Sequence, residues 1–156
     1  MNSIGNVIGE LCKVILPIPE ESYLGNTDSS IAICTLSSMD LLKKISNSEL
    51  LNHISIAGRL LSENKGIDSI IKYVNQNKKI KTIIVCGKEV WGHKAGHSLF
   101  ELHKNGINNY GKIINSTSPD PFLTVTKLEI NYFQNEINLV NIINETNFDT
   151  IKKFVI

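Results

Sequence analysis

Short, mostly apolar runs alternate along this chain with segments whose apolar residues recur at helical spacing. The first pattern is typical of strands buried on both faces of a sheet, and the second is typical of helices with one apolar face. The predicted strands are residues 31–36, 54–58, 80–86, 112–115 and 139–143. The predicted helices are residues 4–16, a helix capped by Ser37 or Ser38, and residues 67–76, 93–105, 126–136 and 147–154.

Strands that alternate with helices predict a parallel, doubly wound sheet with right-handed crossovers. Residues 20–30 are rich in Ser, Asn, Gly and Asp and predict a loop before the first strand. A chain of 156 residues has room for one domain of ordinary size. We therefore expect a single-domain α/β fold with a mostly parallel sheet in residues 25–156. Residues 1–24 are expected to be an N-terminal extension that packs on this domain.

The balance of charges argues against nucleic acid as a partner. The chain has 16 basic and 15 acidic residues, so its net charge of +1 creates no strong field toward nucleic acid or anionic lipid. Arg59 is the only arginine, and bidentate contacts to phosphate are therefore scarce. No apolar run approaches the roughly 18 residues of a membrane helix, so we expect no direct membrane insertion.

The cysteines predict neither a disulfide framework nor a four-cysteine zinc site. Cys12, Cys34 and Cys86 lie far apart and include no CxxC pair. Such cysteine usage is typical of the reducing cytoplasm, which is the compartment that we expect for this protein.

The segment of residues 86–97 follows the strongest predicted strand and is the densest in candidate chemistry. It contains three glycines, two histidines and the only tryptophan, Trp91. Open parallel sheets bind ligands in the crevice beyond the carboxyl ends of their strands. Glycines permit a close approach of backbone to ligand, and a helix start supplies free N–H groups. The residues alone thus predict a ligand-binding α/β domain with a histidine at the crevice.

The two histidines of this segment leave a metal site open as an alternative. His93 and His97 have the i, i+4 spacing that binds zinc on a helix, and Cys86 or Glu89 is available as a third ligand. A local hydrogen bond of His93 at the start of the helix is the simpler interpretation. A zinc-binding or small-ligand-binding α/β protein therefore remains possible at this point.

The same segment carries a resemblance to a known family. The sequence CGKEVWGHKAG within residues 84–98 is long and specific, and it resembles the A subunit of the methanogen tetrahydromethanopterin S-methyltransferase. Further matching stretches are residues 31–37, 55–58, 62–67, 102–103, 105–106, 111–114, 121–122 and 139–143. The likeness runs from about residue 16 to the end of the chain.

The resemblance implies a Rossmann-like domain that carries a cobamide, a cobalt-containing corrinoid. In the family, the histidine after the glycine of this motif is the lower axial ligand of cobalt, which implies that role for His93. We expect Gly87, Trp91, Gly92 and Gly96 to form the walls of the cofactor site. No catalytic residue is expected beyond the cobalt ligand.

The implied activity is that of a methyltransferase subunit in archaeal methanogenesis. The protein would carry a methyl group on cobalt from methyl-tetrahydromethanopterin toward coenzyme M or another thiol, and it would act only with partner subunits. Family members usually carry a C-terminal membrane anchor, and we expect a cytoplasmic version without one. His97 stands where the family more often has glutamine, which adds a second imidazole near the site. The alternative within the family is a paralogue that binds or senses corrinoid without methyl transfer.

Overall fold

The structure is a computed structural model that describes residues 21–156. The predicted helix of residues 4–16 lies outside this part of the chain, as does most of the predicted N-terminal extension. Within residues 21–156, no helix has the length and apolar character needed to cross a membrane.

A five-stranded sheet with the order β1-β3-β2-β4-β5 forms the centre of the described chain. The neighbours β3 and β2, β2 and β4, and β4 and β5 are parallel, whereas the edge strand β1 is antiparallel to β3. The strands are β1 (Ser22–Leu24), β2 (Ile31–Cys34), β3 (Ile56–Gly58), β4 (Thr82–Val85) and β5 (Asn138–Asn141). The expected α/β fold with a mostly parallel sheet is confirmed.

Helices cover both faces of this sheet. They are α1 (Met39–Ser46), α2 (Lys65–Gln76), α3 (Ala95–Asn105), α4 (Lys127–Glu136) and α5 (Phe148–Lys152), with a 3₁₀ helix at Glu49–His53. Apolar residues of α2, α3 and α4 form one buried core with the first face, and those of α1 and α5 form a second core with the other face. Because successive strand residues point to opposite faces, Ile83 joins the first core and Ile84 the second.

Two sequence predictions about strands are wrong. Residues 112–115 form no strand and contribute only to the isolated bridges Ile107–Ile113 and Lys112–Phe122. The apolar run there is short, and it ends at Asn115, whose φ of +65° turns the chain out of extended conformation. The predicted loop of residues 20–30 contains β1, which lacks an apolar run because it is an edge strand with exposed residues at both ends.

Candidate functional site

The carboxyl ends of β2 and β4 mark the point where the strand order reverses, which is where open α/β sheets bind ligands. The two loops that follow these strands are hydrogen bonded to each other. Ser37 N donates to Lys88 O at 3.1 Å, and Lys88 N donates to Ser38 Oγ at 2.8 Å. The loop that leads from β4 toward α3 is therefore fixed at its base.

Gly87 is the residue at which these loops cross. Its φ is +76°, and a Cβ atom at this position would lie 2.1 Å from Thr35 O. The residue is buried, so the space that its missing side chain leaves is filled by backbone of the neighbouring loop. The absence of a side chain at Gly87 thus allows the backbones of the two loops to pack closely at the base of the loop.

Glu89 caps the start of α3. Its carboxylate accepts hydrogen bonds from backbone N–H groups that the sequence suggested were free for a ligand. One carboxylate oxygen accepts from Gly96 N at 3.0 Å, and the other accepts from His97 N at 2.8 Å. Acidic groups at this end of a helix also interact favourably with its dipole. Gly96 is buried beside this cap. A side chain does not fit there, because a Cβ atom would lie 2.9 Å from Glu89 Oε2 and 3.0 Å from Leu36 Cδ1.

His93 lies in the exposed part of the loop, and one of its ring nitrogens contacts a buried carboxylate. Its Nδ1 is 2.9 Å from Glu63 Oε2, and the two side chains are 56% and 1% exposed. The other oxygen, Glu63 Oε1, accepts from Asp120 N at 3.0 Å. An ionised carboxylate can only accept, so this contact requires Nδ1 of His93 to be the donor, and in the neutral ring Nε2 is then the nitrogen with the lone pair. This arrangement is typical of histidines that bind metals through one nitrogen and a carboxylate through the other.

Sequence reasoning missed Glu63. It precedes α2 and is 30 residues from His93 along the chain, so no local pattern connects the two. The only available signal was its position in residues 62–67, one of the stretches that carry the family resemblance. A carboxylate that is 1% exposed yet bonded on both oxygens needs these partners, because an unpaired buried charge is costly.

Three of the predicted site residues lie together on the surface. Trp91 is 95% exposed, and Gly92 and His93 follow it directly in the loop. Gly92 has a φ of +81°, and a Cβ atom there would meet nothing within 4 Å. Gly87 and Gly96 differ from these three because both are buried and their missing side chains make room for other parts of the protein.

The second histidine does not converge with the first. His97 Nε2 accepts a hydrogen bond from Thr117 N at 3.2 Å, so this nitrogen is already used. Cys86 is buried, and this burial raises the pKa of its thiol, which disfavours the thiolate that zinc requires. In residues 21–156, no three or more side chains of His, Cys, Asp or Glu are grouped to hold a metal ion. The described residues thus offer the zinc interpretation no ligand set.

Hydroxyls of two buried serines and one half-buried serine hold the loop of residues 116–118 against α3. Ser98 Oγ lies 2.6 Å from both Ser116 Oγ and Ser118 Oγ, and Ser118 Oγ donates to Lys94 O at 3.2 Å. Together with the Asp120 contact to Glu63, these bonds make residues 116–120 the fixed flank of the His93 loop.

Comparison with known proteins identifies the family. The family model for the A subunit of tetrahydromethanopterin S-methyltransferase matches residues 16–156. The A subunit of the methyltransferase Mtx from Methanosarcina barkeri (strain Fusaro) is 37% identical over 141 residues, which cover 89% of this chain and 68% of that protein. The A 1 subunit of tetrahydromethanopterin S-methyltransferase from Methanothermobacter thermautotrophicus is 32% identical over 139 residues, which cover 87% of this chain and 56% of that protein.

A third relative extends the comparison. The A subunit of the same enzyme from Methanosphaera stadtmanae is 32% identical over 139 residues, which cover 86% of this chain and 53% of that protein. The chain thus spans little more than half the length of these two tetrahydromethanopterin S-methyltransferase subunits. The resemblance that the CGKEVWGHKAG segment predicted is confirmed, and the chain belongs to the family of tetrahydromethanopterin S-methyltransferase A subunits.

Proposed function

We propose that this protein binds a cobamide, with Nε2 of His93 as the axial ligand of cobalt. In this proposal it acts with partner subunits to carry a methyl group from methyl-tetrahydromethanopterin toward coenzyme M or another thiol. The observation that carries the proposal is the exposed His93 ring with its Nδ1 on the buried Glu63 carboxylate. Family membership supports the methyl-transfer part.

The residues at the crevice fit such a cofactor. A neutral imidazole with a free Nε2 is a suitable nitrogen ligand for cobalt, and Glu63 keeps the proton on the other nitrogen. Gly92 leaves open space next to this ring, and the exposed Trp91 offers a flat apolar surface to a macrocycle. When bound, the cobamide supplies a cobalt centre that accepts and releases a methyl group.

In this proposal the residues around His93 position its imidazole for the metal and do not react themselves. Glu63 fixes both the tautomer and the orientation of the His93 ring, and its bond to Asp120 N fixes Glu63 in turn. Glu89 holds the other end of the loop by capping α3. His93 is thus presented to solvent from a loop whose two ends are fixed.

Fluorescence of Trp91 tests cobamide binding directly. Trp91 is the only tryptophan of the chain and stands two positions before His93, so its emission reports on this loop alone. Corrinoids absorb where tryptophan emits, so titration with hydroxocobalamin should quench the emission saturably. Trp91→Phe should bind the same corrinoid in a spectral or equilibrium dialysis assay without the emission signal. Absence of saturable quenching together with absence of retention in dialysis would contradict the proposal.

Glu63→Gln should weaken hydroxocobalamin binding by about 10- to 100-fold, the usual cost of losing the carboxylate partner of a metal-binding histidine. The amide has the same shape as the carboxylate, but its neutral oxygen accepts a weaker hydrogen bond from Nδ1 of His93. Glu136→Gln is the control, because Glu136 ends α4 beside the amino end of β5, whereas the His93 loop lies beyond the carboxyl ends of the strands. Equal affinities of the two variants in the Trp91 titration would show that Glu63 has no part in the site.

A further inference from the structure

Asp68 in the first turn of α2 is a second buried carboxylate, close to Glu63 in the chain. It is 7% exposed. Its Oδ2 accepts from Thr124 Oγ1 at 2.7 Å and from Thr124 N at 3.1 Å, and its Oδ1 accepts from Thr124 N at 3.0 Å and from Val125 N at 3.2 Å. A buried carboxylate requires such partners, and hydrogen bonds to it are stronger than those between neutral groups. Asp68 therefore ties Thr124 and Val125 firmly to α2.

The same segment is also tied to the start of α2 at Asp120. Asp120 N donates to Glu63 Oε1 at 3.0 Å. Asn64, the N-cap of α2, donates from Nδ2 to Asp120 O at 3.2 Å and to Asp120 Oδ2 at 3.0 Å. Glu63, Asn64 and Asp68 thus hold both ends of residues 120–125.

The connection between these two ends is short and stiff. Pro121 has a fixed φ, and Leu123 is 8% exposed and belongs to the first core. Ile113 N donates to Pro121 O at 2.8 Å, and Leu123 N donates to Gly111 O at 2.9 Å, so the middle of the segment is paired with backbone. Residues 120–125 therefore shift as one piece when one of their attachments to α2 is lost.

We propose that Asp68 is a positioning residue for His93. It keeps residues 120–125 against the start of α2, so that Asp120 N stays on Glu63 Oε1. Glu63 Oε2 in turn stays on Nδ1 of His93. Without the bonds of Asp68, Asp120 N moves away, and the buried Glu63 carboxylate has to find another donor, such as water. The His93 ring then loses the partner that fixes its orientation and its tautomer.

Nitrogen-15 NMR of the histidine rings tests this role in the protein without cofactor. At about pH 9 imidazoles are neutral, and their nitrogen shifts then report which nitrogen carries the proton. His93, assigned with the help of His93→Ala, should carry it on Nδ1, whereas Asp68→Asn should give shifts intermediate between the two tautomers. The substituted amide has the same shape but turns an N–H group toward the donors of Thr124 and Val125. Asp149→Asn, in the exposed first turn of α5, is the matched control and should keep the Nδ1 tautomer.

Thr124→Val is a milder variant that tests the same role. It removes the bond from Thr124 Oγ1 to Asp68 and keeps the shape of the side chain and the backbone N–H groups. The His93 nitrogens should shift in the same direction as in Asp68→Asn, but by a smaller amount. Nitrogen shifts of His93 that are unchanged in every folded variant of this pair would overturn the proposal. A ring protonated on Nε2 in the unsubstituted protein would also overturn it.

The consequence for cobamide binding rests on the proposed function and is measured separately. Asp68→Asn should weaken hydroxocobalamin binding in the Trp91 titration by about 3- to 10-fold, less than the loss of the direct carboxylate partner. In the Glu63→Gln background the same substitution should add little, because Asp68 acts through Glu63. Equal losses in the two backgrounds would show that Asp68 stabilises the fold without positioning His93, and they would overturn the proposal. If the unsubstituted protein does not bind hydroxocobalamin, the proposed function fails, and the ring nitrogens still decide the role of Asp68.

Discussion

His93→Ala should abolish the change in the visible spectrum that hydroxocobalamin undergoes when it binds this protein. The change is expected because an imidazole nitrogen replaces another axial ligand on cobalt, and His93 supplies the only free ring nitrogen in the exposed loop. The measurement is a visible absorption titration of purified protein. The affinity should also fall by at least about tenfold, which the Trp91 emission measures.

The matched control for this variant is His97→Ala. Nε2 of His97 is bonded to Thr117 N, so removal of this ring should leave the spectral change intact. An unchanged spectral shift in His93→Ala would show that another group is the axial ligand. Zinc retained by His93 and His97, with no response to hydroxocobalamin, would instead support the zinc interpretation.

Gly87→Ala should destabilise the fold severely, whereas Gly92→Ala should be mild. Both residues have positive φ, so both substitutions carry the cost of about 1–2 kcal/mol for a left-handed side chain. Only at position 87 does the new Cβ atom meet backbone, at 2.1 Å from Thr35 O. We therefore expect a loss of more than about 4 kcal/mol in the free energy of unfolding for Gly87→Ala. Urea denaturation measures both variants.

The same pair distinguishes a structural glycine from one at the ligand surface. Gly92→Ala should weaken hydroxocobalamin binding because its Cβ atom projects into the open space beside His93. Similar free energies of unfolding for the two variants would contradict the account of the loop crossing at Thr35. Unchanged binding by Gly92→Ala would remove Gly92 from the walls of the site.

Much of the fold could be predicted because buried elements carry strong patterns. The mostly apolar runs of β2 and β4 and the periodic apolar residues of α2 identify the centre of the sheet and one of its covering helices. The apolar pattern was insufficient in two segments. β1 has exposed residues at both ends, and residues 112–115 bury Ile113 in a loop rather than in a strand.

Only the part of the candidate site that lies in one continuous segment could be predicted from the sequence. The density of residues 86–97 pointed to His93, but its carboxylate partner comes from a segment 30 residues away. Glycines in a sequence do not reveal what fills the space of the missing side chain. Gly92 faces open space, whereas Gly87 and Gly96 admit Thr35 and Glu89, respectively. Glu89 itself suggested a metal ligand and serves as the cap of α3.

Electron paramagnetic resonance of the protein with bound cobalt(II) cobamide tests the central claim most directly. Coupling between the unpaired electron and an axial nitrogen splits the signal, and the pattern depends on the nitrogen isotope. Protein labelled with nitrogen-15 only in histidine should show an altered splitting relative to unlabelled protein, and His93→Ala should show no dependence on the label. A splitting that is independent of the histidine label in the unsubstituted protein would contradict ligation by His93.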